Sequence, residues 1–270
     1  MSTQEEQKQQ QEARLQEQLE QIKHTLVVMS GKGGVGKSTV TTNVAVALAQ
    51  RNYKVGLIDA DIHGPNIPKM FGIERSQLMS TGNKFKPVMY YPNLKLVSVA
   101  LLLQSTDEAV IWRGPLKHSL IRQFLSDIQW GQLDYLVVDL PPGTGDEPLS
   151  VAQTIKRVSG AIIVTTPQDV AVLDAKKTAT FAVKLNMPII GIVENMSGFI
   201  CPHCGKLTDI FKSGGGEKAA EELGVPFLGK IPFDPQMVDL CDAGKPYIEK
   251  LPNSEIAQVF AQIADQCEQG

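Results

Sequence analysis

The segment VVMSGKGGVGKSTVTTN, residues 27–43, limits the possible folds more than any other stretch of the chain. A β-branched apolar run leads into it. A run of small and apolar residues at helical spacing leads out. A strand, a glycine-rich turn and a helix are therefore expected in that order. Gly31, Gly36, Lys37 and Ser38 stand as Gly, four residues, Gly-Lys-Ser. Glycines at 31, 33, 34 and 36, with Val35 among them, let successive backbone N–H groups turn toward one phosphate chain. The N-terminus of the following helix adds its positive end. Gly31, Gly33, Gly34, Val35, Gly36, Lys37, Ser38 and Thr39 are thus the candidate nucleotide-binding residues. Lys37 is placed to reach the β- and γ-phosphates of ATP, and Ser38 to put its hydroxyl on Mg2+.

Strands and helices alternate on either side of this turn. KVGLIDAD (54–61), LKLVSVALLL (94–103), YLVVDLPPG (135–143), GAIIVTTPQ (160–168), MPIIGIVENMS (187–197) and PFLGKIPFD (226–234) read as strands. Helices are expected at 37–52, within 109–128 and at 169–186. Near-continuous apolar strands separated by helices predict an α/β fold: a doubly wound, mostly parallel sheet covered on both faces. Residues 24–270 fit one such domain. Residues 1–23 are rich in Gln and Glu, and read as a helix or frayed tail with too little apolar surface to pack firmly. Residues 196–216 break the rhythm with CPHCG and a Gly-Gly-Gly run, and read as an exposed insertion.

Carboxylates fall where phosphate chemistry needs them. Asp139 closes an apolar strand, a position from which a carboxylate holds Mg2+. Asp59 and Asp61 follow the second strand. Strand ends on the carboxyl side of such a sheet share one crevice.

Cys201-Pro-His-Cys204 is a second signal. Two residues between cysteines let both thiolates face one ion from a tight turn, which Gly205 would help to close. Two thiolates make half a tetrahedral site. A two-fold pair of chains would supply four, which suits a [4Fe–4S] cluster or zinc. A thiol–disulfide pair is a third reading, but that chemistry favours a helix N-terminus. His203 reads as a loop residue, and Cys241 and Cys267 as small apolar residues.

Net charge is −3, with 20% charged and 43% hydrophobic residues. That balance suggests attraction neither to nucleic acid nor to anionic lipid. No apolar run approaches the roughly 20 residues of a membrane span, and the N-terminus has no apolar signal core. A cytoplasmic protein without nucleic-acid or membrane partners is expected.

GKGGVGKST resembles the deviant Walker A motif of the SIMIBI-class P-loop ATPases, a group that includes MinD, ParA, the arsenite pump ATPase and the nitrogenase iron protein. The resemblance implies that Lys32 reaches across a homodimer to the other subunit's nucleotide. There it would neutralise charge developing on the phosphates, as an arginine finger does. DADIHGPNIP resembles the switch I segment of the Mrp/ApbC-type branch, which implies that Asp61 orients the attacking water and Asp59 lies nearer the Mg2+ shell. VVDLPPGTGDE resembles its switch II, which implies a Gly143 N–H facing the γ-phosphate. ENMSGF and IPFDP resemble the adenine-side loops, with Asn195 at the base edge, Pro232 packed against it and Asp234 nearby.

Taken with ENMSGFICPHCG, the motifs over residues 24–255 are similar to those of the Mrp/ApbC-type iron–sulfur carrier ATPases. That family implies a homodimer in which Cys201 and Cys204 of each chain bridge a labile [4Fe–4S] cluster. The cluster passes to apo iron–sulfur proteins, with ATP needed for loading or release. The four-cysteine extension of some eukaryotic relatives and the small acidic domain of some bacterial ones are not expected here. Three rivals are a MinD/ParA-like positioning ATPase, a metal-insertion NTPase and an ATPase with a structural zinc site. The first needs a basic amphipathic end or a basic surface, where SEIAQVFAQIADQCEQG is acidic and polar on most faces. The second favours a His-rich tract, where the chain has four histidines.

Overall fold

The apolar runs form the centre of a single mixed sheet. The computed structural model describes residues 3–82, 84–102, 121–155, 157–201, 203–204 and 206–269. Strand β1 (Ile22–Ser30) pairs in parallel with β7 (Leu133–Asp139) on one side and β8 (Gly160–Thr165) on the other. Beyond β7 come β2 (Val55–Asp59) and β6 (Leu94–Ser98). Beyond β8 come β9 (Ile189–Ile200) and β11 (Phe227–Phe233), and all of these pairs are parallel. Antiparallel β5 (Val88–Tyr91) borders β6, and β10 (Leu207–Thr208) folds back on the end of β9. β3 (Met79–Thr81) and β4 (Lys84–Lys86) form a separate small pair.

Helices cover both faces. They are α1 (Thr3–Glu20), α2 (Lys37–Gln50), α3 (Ile67–Met70), a helical stretch at 121–126 (α4), α5 (Asp146–Ile155), α6 (Asp169–Lys184), α7 (Gly215–Leu223), α8 (Pro235–Asp242), α9 (Tyr247–Lys250) and α10 (Glu255–Gln269). Successive strand residues point to opposite layers. Leu26 and Val28 join the core beneath α2 and α10, whereas Val27 and Met29 join the core beneath α1, α4 and α5. Ile163 and Ile192 pack on α6 and α7.

The doubly wound sheet is as expected, and several local readings change. α1 is a helix: its Leu15 is buried in the core beside Ile22, Leu19 packs partly buried against the same core, and Glu12 pairs with Arg122, so a few contacts seat a mostly polar segment. β1 accordingly begins at Ile22. The strand expected at 94–103 ends at Ser98, and residues 99–102 form a tight helical turn. The cause is the Ser98 hydroxyl, which donates to Asp59 Oδ2 (3.1 Å) and accepts the Ala100 N–H (3.2 Å). Residues 196–200 are not part of an exposed insertion; they extend β9, with Ser197 and Gly198 buried. The helix expected within 109–128 is seen at 121–126, and residues 109–120 lie outside the described ones. The C-terminal segment, polar on most faces, is an amphipathic helix: Ile256, Phe260 and Ile263 are buried against the body.

If α1 is a seated part of the domain, Leu15→Ala should destabilise the protein by about 2–4 kcal/mol, within the range for deleting a buried leucine. Urea unfolding of the two proteins measures it, and a loss indistinguishable from zero would mean that α1 is detached in solution.

Candidate functional site

Parallel pairing sets Val28 level with Asp139 and Asp139 level with Asp59. The ends of β1, β7 and β2 therefore deliver the phosphate loop, Asp139 and Asp59 to one crevice at the carboxyl edge. In the loop, Gly33 and Gly34 are exposed and Val35 is buried. Gly36 has φ 83°, and a Cβ there would lie 2.1 Å from Asn195 Nδ2, so no other residue fits. Lys37 opens α2 and is buried, followed by half-exposed Ser38 and Thr39.

Asp139 is the centre of this arrangement and has no solvent exposure. Its Oδ2 accepts from Ser38 Oγ (2.6 Å) and pairs with Lys37 Nζ (2.7 Å). Its Oδ1 accepts from Thr41 Oγ1 (2.6 Å), which also lies 2.9 Å from the Lys37 carbonyl oxygen. Desolvating a charged pair is costly, and the two hydroxyl donors offset that cost. Ser38 Oγ and Asp139 Oδ2 are adjacent hard oxygens beside Lys37, a donor set that fits Mg2+.

Asp59 has a different job. Its Oδ1 accepts the Asp61 N–H (3.2 Å), and its Oδ2 accepts the Ile67 N–H (3.3 Å) and the Ser98 hydroxyl. It thus folds residues 61–67 over the crevice. Burial first, and the Asp139 charge second, raise the Asp59 carboxyl well above the usual carboxylate range. Asp61 is more open, and its Oδ2 lies 4.0 Å from Lys37 Nζ. Burial raises its carboxyl and the Lys37 charge opposes that rise. Asp61 therefore faces the site, and Asp59 supports the segment that carries it.

Asn195, Pro232 and Asp234 meet beside the loop. Asn195 Nδ2 donates to the Val35 carbonyl (2.8 Å). These residues, with Thr39, Met237 and Cys241, line a cleft of about 190 Å3 next to Gly36. Asp234 is committed to the fold: it caps α8 by accepting the Gln236 N–H (2.9 Å) and accepts the Tyr247 hydroxyl (2.6 Å). Gly143, at φ 94°, donates its N–H to the Ser30 carbonyl (2.7 Å), so in this conformation it is bound to the loop's own stem. Lys32 is half-exposed and, among the described residues, forms no ion pair.

Cys201 and Cys204 follow the end of β9 and precede β10, with Cys201 N–H donating to the Lys206 carbonyl (3.0 Å). Both thiols are free; Cys201 is half-exposed, and Cys204 and His203 are exposed. The His203 N–H, then the Cys204 N–H and thiol, hold the Cys201 thiol below its ordinary value. Such a shift favours the thiolate, the ligating form. Among the described residues, no group of three or more His, Cys, Asp or Glu side chains could hold a metal ion. The pair is half of a tetrahedral set, and Gly205 lies outside the described residues. Cys267 is the opposite case: burial pushes its thiol up to about 12.

The model of a family described as NUBPL iron-transfer P-loop NTPase matches residues 21–268. The chain belongs to this P-loop NTPase family. An iron–sulfur cluster carrier protein of Methanocaldococcus jannaschii is 52% identical, over 96% of this chain and 90% of that protein. The cytosolic Fe–S cluster assembly factor CFD1 of Kluyveromyces lactis is 47% identical, over 92% of each chain. Among solved structures, the nucleotide-binding protein of Archaeoglobus fulgidus in complex with ADP is 40% identical. It has a TM-score of 0.76, over 86% of this chain and 91% of that one. The cell division ATPase MinD of Pyrococcus furiosus is 24% identical with a TM-score of 0.67, over 92% of this chain and 99% of that one, a likeness of fold.

The motifs alone do not disclose that Thr41 belongs to this NTPase site. Its position one helical turn after Lys37 was the available signal, since residues four apart share a helix face. Thr41→Val leaves Asp139 Oδ1 without its donor in a fully buried place, an expected loss of about 1–3 kcal/mol. Thr41→Ser should stay within about 1 kcal/mol of wild type, because the donor remains. Denaturant unfolding without nucleotide checks both. A Thr41→Val protein as stable as wild type would remove Thr41 from the account.

Proposed function

We propose that this chain is an ATP-hydrolysing carrier that holds a labile [4Fe–4S] cluster between two copies of itself and passes it to apo iron–sulfur proteins in the cytoplasm. The observation that carries the reading is the Cys201–Cys204 pair. Two free thiols stand at the surface on a hairpin whose parent strand also holds Asn195 against the phosphate loop. The names of the relatives support the cargo, and the half-set of thiolates supports the second copy.

Lys37 leaves Asp139 for the β- and γ-phosphates when nucleotide enters. Ser38 and Asp139 would hold Mg2+, which supplies charge neutralisation on the phosphate oxygens. Asn195 and Pro232 bound the adenine, and Asp61 orients the attacking water. Lys32, which forms no ion pair among the described residues, is available to the partner's nucleotide. Loss of the γ-phosphate lets residues 61–67 and the Gly143 segment relax, which alters how the two copies meet. The cluster leaves by ligand exchange: a client thiolate replaces each cysteine thiolate on iron, with no change in electron count.

α10 turns its apolar face to the core, so it offers none to a bilayer, and no described helix is long and apolar enough to cross one. That weighs against a membrane-bound positioning ATPase.

Paired variants separate the two halves of the proposal. Lys37→Ala should lower ATP hydrolysis by about 100-fold or more, the scale for losing a phosphate-stabilising group, and should impair cluster delivery with both cysteines intact. Cys201→Ala should abolish iron and sulfide uptake on anaerobic reconstitution while MgATP affinity stays within about threefold. Normal delivery by Lys37→Ala would break the link to hydrolysis. Loss of MgATP binding in Cys201→Ala would make the cysteines structural.

A further inference from the structure

A buried carboxylate outside the nucleotide site fastens the cysteine hairpin at its base. Glu194 on β9 has no solvent exposure. Its Oε1 accepts from the Ser197 hydroxyl (2.5 Å) and the Gly214 N–H (2.9 Å), and its Oε2 accepts the Gly216 N–H (2.5 Å). The Ser197 and Ser213 hydroxyls lie 3.2 Å apart. A Cβ at Gly216 would stand 3.0 Å from Glu194 Cβ, so the Gly-Gly-Gly run lets the returning backbone reach the carboxylate. One side chain thus ties the strand leading out to Cys201 to the loop coming back from Cys204. A buried carboxylate is tolerated only with such partners, so both stems are held by the same requirement.

The residue next to Glu194 reaches the nucleotide site. Asn195, next to Glu194, donates to the Val35 carbonyl of the phosphate loop. Immediately after it, β9 leaves regular geometry: Met196 has φ 56° and Gly198 φ 80°, and the register with β11 shifts between Ile231 and Phe233. Such bulges re-aim a strand and concentrate at functional sites. The Glu194–Ser197 hydrogen bond spans this bulge.

We infer that Glu194 is a positioning residue that transmits nucleotide occupancy to the cysteine pair within one chain. Movement of the Asn195–Val35 contact on nucleotide binding reaches the thiols because Glu194 braces the bulge and both hairpin stems as one unit. Without the brace, the bulge absorbs the movement. The inference rests on the proposed function for what the thiols carry, and not for the coupling itself.

The test needs no iron. Iodoacetamide labelling of the full-length, iron-free protein is timed with and without ADP. Peptide mass spectrometry separates Cys201 and Cys204 from Cys241 and Cys267, and calorimetry gives ADP affinity. In wild type, ADP should change the Cys204 labelling rate about fivefold or more, the lower end of typical site-to-site coupling. In Glu194→Gln, whose amide nitrogen cannot accept a backbone N–H, that change should vanish while ADP affinity stays within about threefold. Ser197→Ala removes one of the three donors and should roughly halve the ADP effect in logarithmic terms. A wild-type-sized ADP effect in Glu194→Gln, or in Ser197→Ala should Glu194→Gln not fold, overturns the assignment. So does the absence of an ADP effect in wild type. Failure to take up iron on reconstitution would overturn the carrier reading instead and leave the labelling result standing.

Discussion

The Asp139 carboxylate is the interaction on which the site depends. It sits at the end of a central strand, fully buried, and gathers Lys37, Ser38 and Thr41 from the first two turns of α2. These bonds join β7 to the phosphate loop and fix where α2 begins. A buried anion of this kind holds its place only while its partners stay, so the site is preorganised and responsive together. Anything that draws Lys37 toward a phosphate changes the balance around Asp139, and Asp59, level with it on the neighbouring strand β2, feels that charge directly.

From that centre, two routes lead outward. One runs through Asp59, whose carboxylate folds residues 61–67 and so sets where Asp61 points. The other runs through Val35 to Asn195 and along β9 to the cysteines, six residues further on. The first route stays within the crevice, and the second crosses one hydrogen bond, Asn195 to Val35, and then follows the β9 backbone toward the thiols. Glu194 hydrogen-bonds both stems of the hairpin at the end of that second path.

Much of this was legible in the residues. The central strands announce themselves as apolar runs because both faces of the sheet are covered, and the phosphate loop is set by its glycines and Lys37. Other features were hidden for physical reasons. β3, β4 and β5 are short and contain no fully buried residue, so they carry no apolar period. α1 has a single deeply buried leucine, too little for a periodic signal. α10 looked polar because its apolar face is a narrow stripe. The roles of Asp59 and Glu194 depend on backbone N–H groups far along the chain, which side-chain chemistry does not advertise. Asn195 stands in a motif that can be read in the sequence, but its bond to Val35 needed the fold.

The most direct test of the account is native mass spectrometry of the anaerobically reconstituted, full-length protein. The account predicts a dimer carrying one [4Fe–4S] cluster per two chains, which falls to apo monomer when Cys204 is replaced by Ala. A monomer that keeps its metal, or a dimer holding tightly bound zinc and no iron, would contradict it.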